Sequence, residues 1–256
     1  DVGPTLIGAP QAWAGTAGLP GGALAVQGEG IVVGMIDSGI NFGSPSFAAT
    51  DPVDGYVHVN PLGSGVYLGT CLAGGDDAGR CNDKLIGGYD FVCAAPGNQC
   101  GVANVREEPG FGDSNSHGSH TASIAAGNRR DVVVDNAPVR ISGVAPRASL
   151  IAYDACYTDL QEGVGLCPNV STLAAINQAV ADAVDVINYS IAGGASPWTE
   201  ATSLAFLNAT AAGIYVATSA GNDTPYPRAL DHIEPWTSTT ASSQHGRTRF
   251  GTMMQV

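Results

Sequence analysis

Four stretches of the chain are continuously apolar and end in polar or turn-forming residues: "GIVVGMIDSG" (30–39), "ASLIAYDAC" (148–156), "AVDVINYSI" (183–191) and "AGIYVATSAGN" (212–222). Runs of this kind are expected of strands buried on both faces. Between them the apolar positions change period. "VSTLAAINQAVADA" (170–183) carries Val170, Leu173, Ala174, Ile176, Ala179 and Val180 at helical spacing, with Ser171 or Thr172 as the expected cap. "TEATSLAFLNATAA" (199–212) repeats the type. Strands alternating with helices predict an α/β fold with a mainly parallel sheet and right-handed crossovers. The stretch 41–112 breaks this rhythm. It is rich in Gly, Pro, Asp and Cys, and reads as long loops with short strands near Val57 and along "KLIGGYDFV".

Ligands of open parallel sheets sit beyond the carboxyl ends of the strands. The polar residues there are Asp37-Ser38, Asp154, Asn188 to Ser190 and Ser219 to Asn222. Each taken singly is explained equally well as a turn or cap. "GEGIVVG" (28–34) has the look of a dinucleotide fingerprint, but its glycines enter a strand instead of following one, so it is set aside.

Composition narrows the classes. The 256 residues are 44% apolar and 13% charged, enough for a sizeable core, and no apolar run is long enough to span a membrane. A net charge of -13 argues against a nucleic-acid partner. The opening "DVGPTLIGAPQAW" has no signal-peptide pattern and reads as a processed or engineered start. Six cysteines fall as three close pairs without CxxC spacing. Neighbouring disulfides Cys71–Cys81, Cys93–Cys100 and Cys156–Cys167 are expected, in a secreted protein.

"NSHGSHTASIAAG" (115–127) concentrates the candidate chemistry. His117 and His120 could bind a metal, fill a core or move a proton. A helical zinc pair uses i, i+4 spacing with a Glu between, and here the spacing is i, i+3 with Gly and Ser. The small residues that follow predict a lean helix closely approached by its neighbours. His117 falls at its amino end, where the helix dipole disfavours an imidazolium and would keep the ring neutral and able to accept a proton. A carboxylate must then orient it, and Asp37 is of the right type. His120, one turn in, reads as a core or supporting residue.

Together these stretches resemble the subtilisin-like serine proteases. "VVGMIDSGI" is similar to their Asp motif, "NSHGSHTASIAAG" to their His motif, "ATSAGND" to the segment carrying the oxyanion asparagine, and "DVINYSIAGG" to the segment lining the substrate cleft. The motifs occur in the family's order. The resemblance implies a subtilisin-like three-layer fold, incomplete in these residues. It implies an Asp-His-Ser mechanism with Asp37 orienting His117 as general base and Asn222 donating to the oxyanion. Ser190, Ile191, Ala192 and Gly193 would offer a backbone edge to a polypeptide substrate, with Ser219 and Gly221 nearby. Ala192 stands where the family has glycine and would narrow the adjacent pocket. "CNDKLIGGYDFV", "GVAPRASLIAYDAC" and "HIEPWTSTTASSQHGR" are similar to the lineage with an inserted protease-associated domain. Residues 1–256 then form the amino-terminal part of one catalytic domain, with 41–112 a cysteine-containing insertion.

The family's G-T-S-M-A nucleophile motif does not occur here. "FGTMMQV" lies only 29 positions after Asn222, too soon to replace it. The serine is therefore expected on further polypeptide or a second chain, an inactive peptide-binding homologue being the alternative. No cofactor is required. The resemblance allows a structural calcium, although Ser46 stands where the usual carboxylate would be. Asp76, Asp77 and Asp83 form a loose acidic loop that reads more simply as solvated.

Overall fold

The computed structural model describes residues 3–18, 24–134, 136–222 and 230–243. In chain order its strands are β1 Val32–Asp37, β2 Leu68–Gly69, β3 Leu85–Asp90, β4 Val105–Arg106, β5 Arg130–Val134, β6 Ala137–Ile141, β7 Ser149–Asp154, β8 Tyr157–Asp159, β9 Val164–Leu166, β10 Val186–Tyr189, β11 Tyr215–Ser219 and β12 Ser238–Thr240. Its α-helices are α1 Gly3–Leu6, α2 Ala9–Trp13, α3 His117–Ala126, α4 Asn169–Ala181 and α5 Ala201–Ala211.

Seven strands form one parallel sheet in the order β12-β11-β10-β1-β7-β3-β2. All four apolar runs became strands of this sheet, each shorter than its run because the polar ends turn out of the ladder. The period-2 alternation of side chains divides each strand between two cores. Val32 and Ile36 face α4 and α5 with Ile176, Ile187 and Phe206, whereas Val33 and Met35 face α3 with Ala122, Ala126 and Leu150. The sheet is thus the middle of three layers, as the α/β reading required.

β1 lies between β7 and β10. From β1 the chain crosses to the edge at β2 and returns inward through β3 to β7, whereas from β10 it runs outward through β11 to β12, so the direction of winding switches between β1 and β10. Crevices form at such a switch point beyond the carboxyl ends. Those ends are in register across the sheet, with Asp154 opposite Asp37 on one side and Asp90 on the other, and Tyr189 opposite Ile36.

Three expectations need correction. The N-cap of α4 is Pro168, and Ser171 and Thr172 lie fully buried in the first turn. Ser171 Oγ donates to the Phe91 carbonyl at 2.7 Å, so a tertiary partner replaced the capping role. The face that α4 buries is centred on Ala175, Ile176 and Ala179, which leaves Val170 half exposed. The 41–112 stretch is mostly turns, and its "KLIGGYDFV" segment forms β3 of the main sheet, beside β2, as expected, but Val57 makes only an isolated bridge with Thr50 and no strand. Disulfides join Cys71–Cys81, Cys93–Cys100 and Cys156–Cys167, the neighbouring pairs expected. Among the described residues, no helix is long and apolar enough to cross a membrane.

Candidate active site

Asp37 ends β1 and is buried, 2% exposed. Gly39 follows in the left-handed region at φ 85°, where the chain turns so tightly that a Cβ would lie 2.7 Å from the Phe111 carbonyl oxygen. This turn brings α3 against the end of β1. The helix buries one stripe, Gly118, Ala122 and Ala126, each four residues from the last. Its small side chains are therefore a packing face on one side only, because Ile124 on the far side is 55% exposed. Gly118 is the point of closest approach. A Cβ there would overlap the Gly39 carbonyl oxygen and lie 3.2 Å from the Cβ of Asp37.

The approach places His117 Nδ1 2.7 Å from Asp37 Oδ1, to which it donates. The same carboxylate accepts from Ser38 N at 2.8 Å and from Thr121 Oγ1 at 3.2 Å. Three donors thus hold Asp37, and the imidazole is oriented by a group that cannot rotate freely. The Asp37 hydrogen bond raises the His117 pKa above its ordinary 6.5, against the opposing effect of partial burial. The helix amino end was expected to keep this ring neutral. A contact with a buried carboxylate at 2.7 Å outweighs a helix-end effect of roughly 0.3–1 kcal/mol.

Asp113, which sequence reasoning passed over, holds the start of α3. It accepts from the backbone of Asn115 at 3.0 Å, Ser116 at 2.7 Å and Ser119 at 2.8 Å. It also accepts from the hydroxyls of Ser38 at 3.0 Å and Ser119 at 2.5 Å. Ser38 Oγ in turn accepts from Gly118 N at 3.0 Å. The N-cap itself, Ser116, sits at φ 81° and makes no side-chain cap. The signal was present in the sequence as an Asp just ahead of a helix in a Ser/Asn-rich turn.

Asp37 and His117 stand at a cleft of about 410 Å³. One wall is Ser190, Ile191 and Ala192, which continue from β10. The other is Gly165 and Leu166 of β9 with Cys156 and Cys167, so the third disulfide staples the hairpin β8–β9 along the cleft. Nothing in the sequence marked that hairpin as a wall.

Four predicted site residues are absent from the lining. The Gly193 carbonyl accepts from His232 N, Ser219 ends β11 in register with Thr240, and Gly221 sits at φ 79° against Asp231. Asn222 is exposed, just past the end of β11. His120 is exposed too, and lines a different groove with Ser123 and Ile124. It is neither a core residue nor a partner of His117. Among the described residues, no group of three or more His, Cys, Asp or Glu side chains is arranged to hold a metal ion. Asp76 is exposed, as the solvated reading expected, but Asp77 is buried and paired with Arg80 and Thr70, and Asp83 accepts from Ser64 and Gly65, so those two carboxylates already have protein donors.

Residues 28–248 match the model of the subtilase family of S8 peptidases, and the chain belongs to that family. It is 36% identical over 254 residues to two Arabidopsis thaliana proteins, Subtilisin-like protease SBT2.1 and Subtilisin-like protease SBT2.3, covering 95% of this chain and 28% of each relative. The chain therefore spans little more than a quarter of the length of the curated relatives it matches. A solved lanthipeptide protease overlays on 77% of this chain and 41% of its own, with 19% identity and a TM-score of 0.42.

Proposed function

We propose that this chain supplies the proton-transfer half of a serine endopeptidase that hydrolyses peptide bonds. The observation that carries the reading is the buried Asp37 carboxylate bound to His117 Nδ1 at 2.7 Å beside an open cleft. With Nδ1 committed, His117 faces the cleft with Nε2 as its free nitrogen. In such a triad the base takes a proton from a serine hydroxyl and later returns it to the leaving amine, while the carboxylate stabilises the imidazolium formed between. The Asn222 side-chain amide would donate to the tetrahedral oxyanion, and its exposure beyond β11 leaves it free to do so. A polypeptide would add as a strand along Ser190 to Ala192.

The nucleophilic serine lies, in this reading, on polypeptide outside the 256 residues, on a second chain or a continuation, and residues 1–256 alone do not turn over substrate. The family membership and the share of the relatives that is spanned support this. Three disulfides and an acidic surface suit a secreted enzyme. The chemistry needs no cofactor. A structural calcium would need other ligands than Asp77 and Asp83, whose oxygens are already engaged.

Treatment of the full-length protein with a fluorophosphonate, followed by peptide mapping, tests the reading. A label on a serine outside residues 1–256, with loss of peptide cleavage, is expected. A label confined to this chain contradicts the placement of the nucleophile. Peptide binding without cleavage in the full-length protein would instead establish a binding homologue.

A further inference from the structure

Asp231 to Glu234, between β11 and β12 in the chain, are tied to both strand-end loops. Asp231 N donates to the Ala220 carbonyl at 3.2 Å, on the loop that leads to Asn222. His232 N donates to Gly193 O at 2.7 Å and Ile233 N to Gly194 O at 3.3 Å. The His232 ring reaches further. A carbonyl can only accept, so Nε2 carries a hydrogen and donates to Ile191 O at 2.8 Å, while Nδ1 faces Glu234 Oε1 at 3.2 Å. Glu234 Oε1 also accepts from Ser203 Oγ of α5 at 2.7 Å.

His232 and Glu234 are 2% and 3% exposed. Ionisable side chains at this depth cost stability unless their polar atoms find partners, and Glu234 Oε2 has none. Gly194, at φ 73°, leaves the space: a Cβ there would sit 2.5 Å from Glu234 Oε1 and 2.6 Å from His232 Nδ1. The proton-transfer scheme above uses none of these groups.

The contact with Ile191 has a directional consequence. In a trans peptide unit the C=O and the following N–H point in opposite directions. Anchoring Ile191 O on the buried ring therefore turns the Ala192 N–H away from it, and Ala192 lines the cleft. Resting on the protease reading, we propose that His232, steadied by Glu234, is a positioning residue that aims the Ala192 N–H at a carbonyl of an extended peptide substrate.

The test uses the full-length protein and two substrates, an extended peptide that spans the Ser190 to Ala192 edge and a single-residue ester that does not. His232→Ala should raise KM for the peptide about tenfold, the scale expected for one buried hydrogen bond. The kcat and the ester kinetics should stay within about twofold, as they do not draw on that bond. Amide exchange across 190–194 should become faster. His232→Gln keeps an amide donor and should recover most of the peptide KM. Unchanged peptide KM with unchanged exchange overturns the proposal, and so does an equal loss on ester and peptide. Where His232→Ala does not fold, Glu234→Gln carries the test: faster exchange at 190–194 supports it and unchanged exchange overturns it. Wild-type protein that neither cleaves nor binds peptide refutes the protease reading, while the exchange comparison still decides whether His232 orders this edge.

Discussion

Gly118 lies directly against the carbonyl of Gly39, so the helix that carries His117 touches the turn that follows Asp37 backbone to backbone. That contact sets the reach of the imidazole to the carboxylate. Gly118→Ala must move α3 or the turn, because the blocking atom is main chain. Overpacking of this sort costs about 1–3 kcal/mol. A denaturant melt should show that loss, and the His117 pKa, followed by NMR, should fall toward 6.5 as the bond to Asp37 lengthens. A variant as stable as the parent with His117 unmoved would show that the helix is not wedged there.

The Asp37 bond also sets a pH dependence. The raised pKa of His117 means that its protonated form is favoured in the fold, a contribution present below 6.5 and lost as pH rises through the higher folded value. A general base must be neutral, so, on the proposed function, the acidic limb of kcat/KM in the full-length protein should lie above pH 6.5. Asp37→Asn removes the largest cause of the shift. The His117 pKa should then drop, and turnover should fall by about 10⁴-fold, the loss known for the same change in an unrelated serine protease. A profile whose acidic limb lies well below 6.5 contradicts the assignment.

Much of this arrangement was legible in the sequence because it depends on local pattern. The four apolar runs became β1, β7, β10 and β11, since a strand covered on both faces admits few polar residues. The contact between Asp37 and His117 was expected from motifs at the end of a strand and the start of a helix. What escaped depends on contacts between distant residues. Ser171 looked like a cap but bonds the Phe91 carbonyl, 80 positions away. His120 looked like an inner residue because the helix is lean, yet only the Gly118, Ala122 and Ala126 stripe meets the sheet. The tie between His232 and Ile191 spans 41 positions and has no periodic signature at all.

Asp113 offers a separable test of how the site is held. It gathers three backbone N–H groups and two hydroxyls at the amino end of α3. Asp113→Ala should cost about 1–2 kcal/mol by loss of the cap, more if the hydroxyls find no new acceptor. Asp113→Asn keeps an acceptor oxygen and should recover part of this. Equal stability of the alanine variant and the parent in a urea melt would show that Ser116 or solvent caps the helix instead.

Asp154 makes the opposite prediction. It is fully buried in the row between Asp37 and Asp90, and neither of its oxygens has a side-chain partner among the described residues. Burial, and after it the charges of Glu107 and Asp90, push its pKa well above 3.8. Burial likewise raises Glu107, to about 7. Both groups therefore bind protons more tightly folded than unfolded. Their sign is the reverse of the usual salt-bridged carboxylate: stability is greatest at acid pH and declines as pH rises from near 4 through the folded pKa values. Asp154→Asn removes one ionisation while keeping the shape. It should match the parent near pH 4, exceed it at pH 8, and flatten the curve between. Thermal melts of both proteins across that range measure the difference, and parallel curves would mean that Asp154 ionises in the fold as readily as in the unfolded chain, against the burial described.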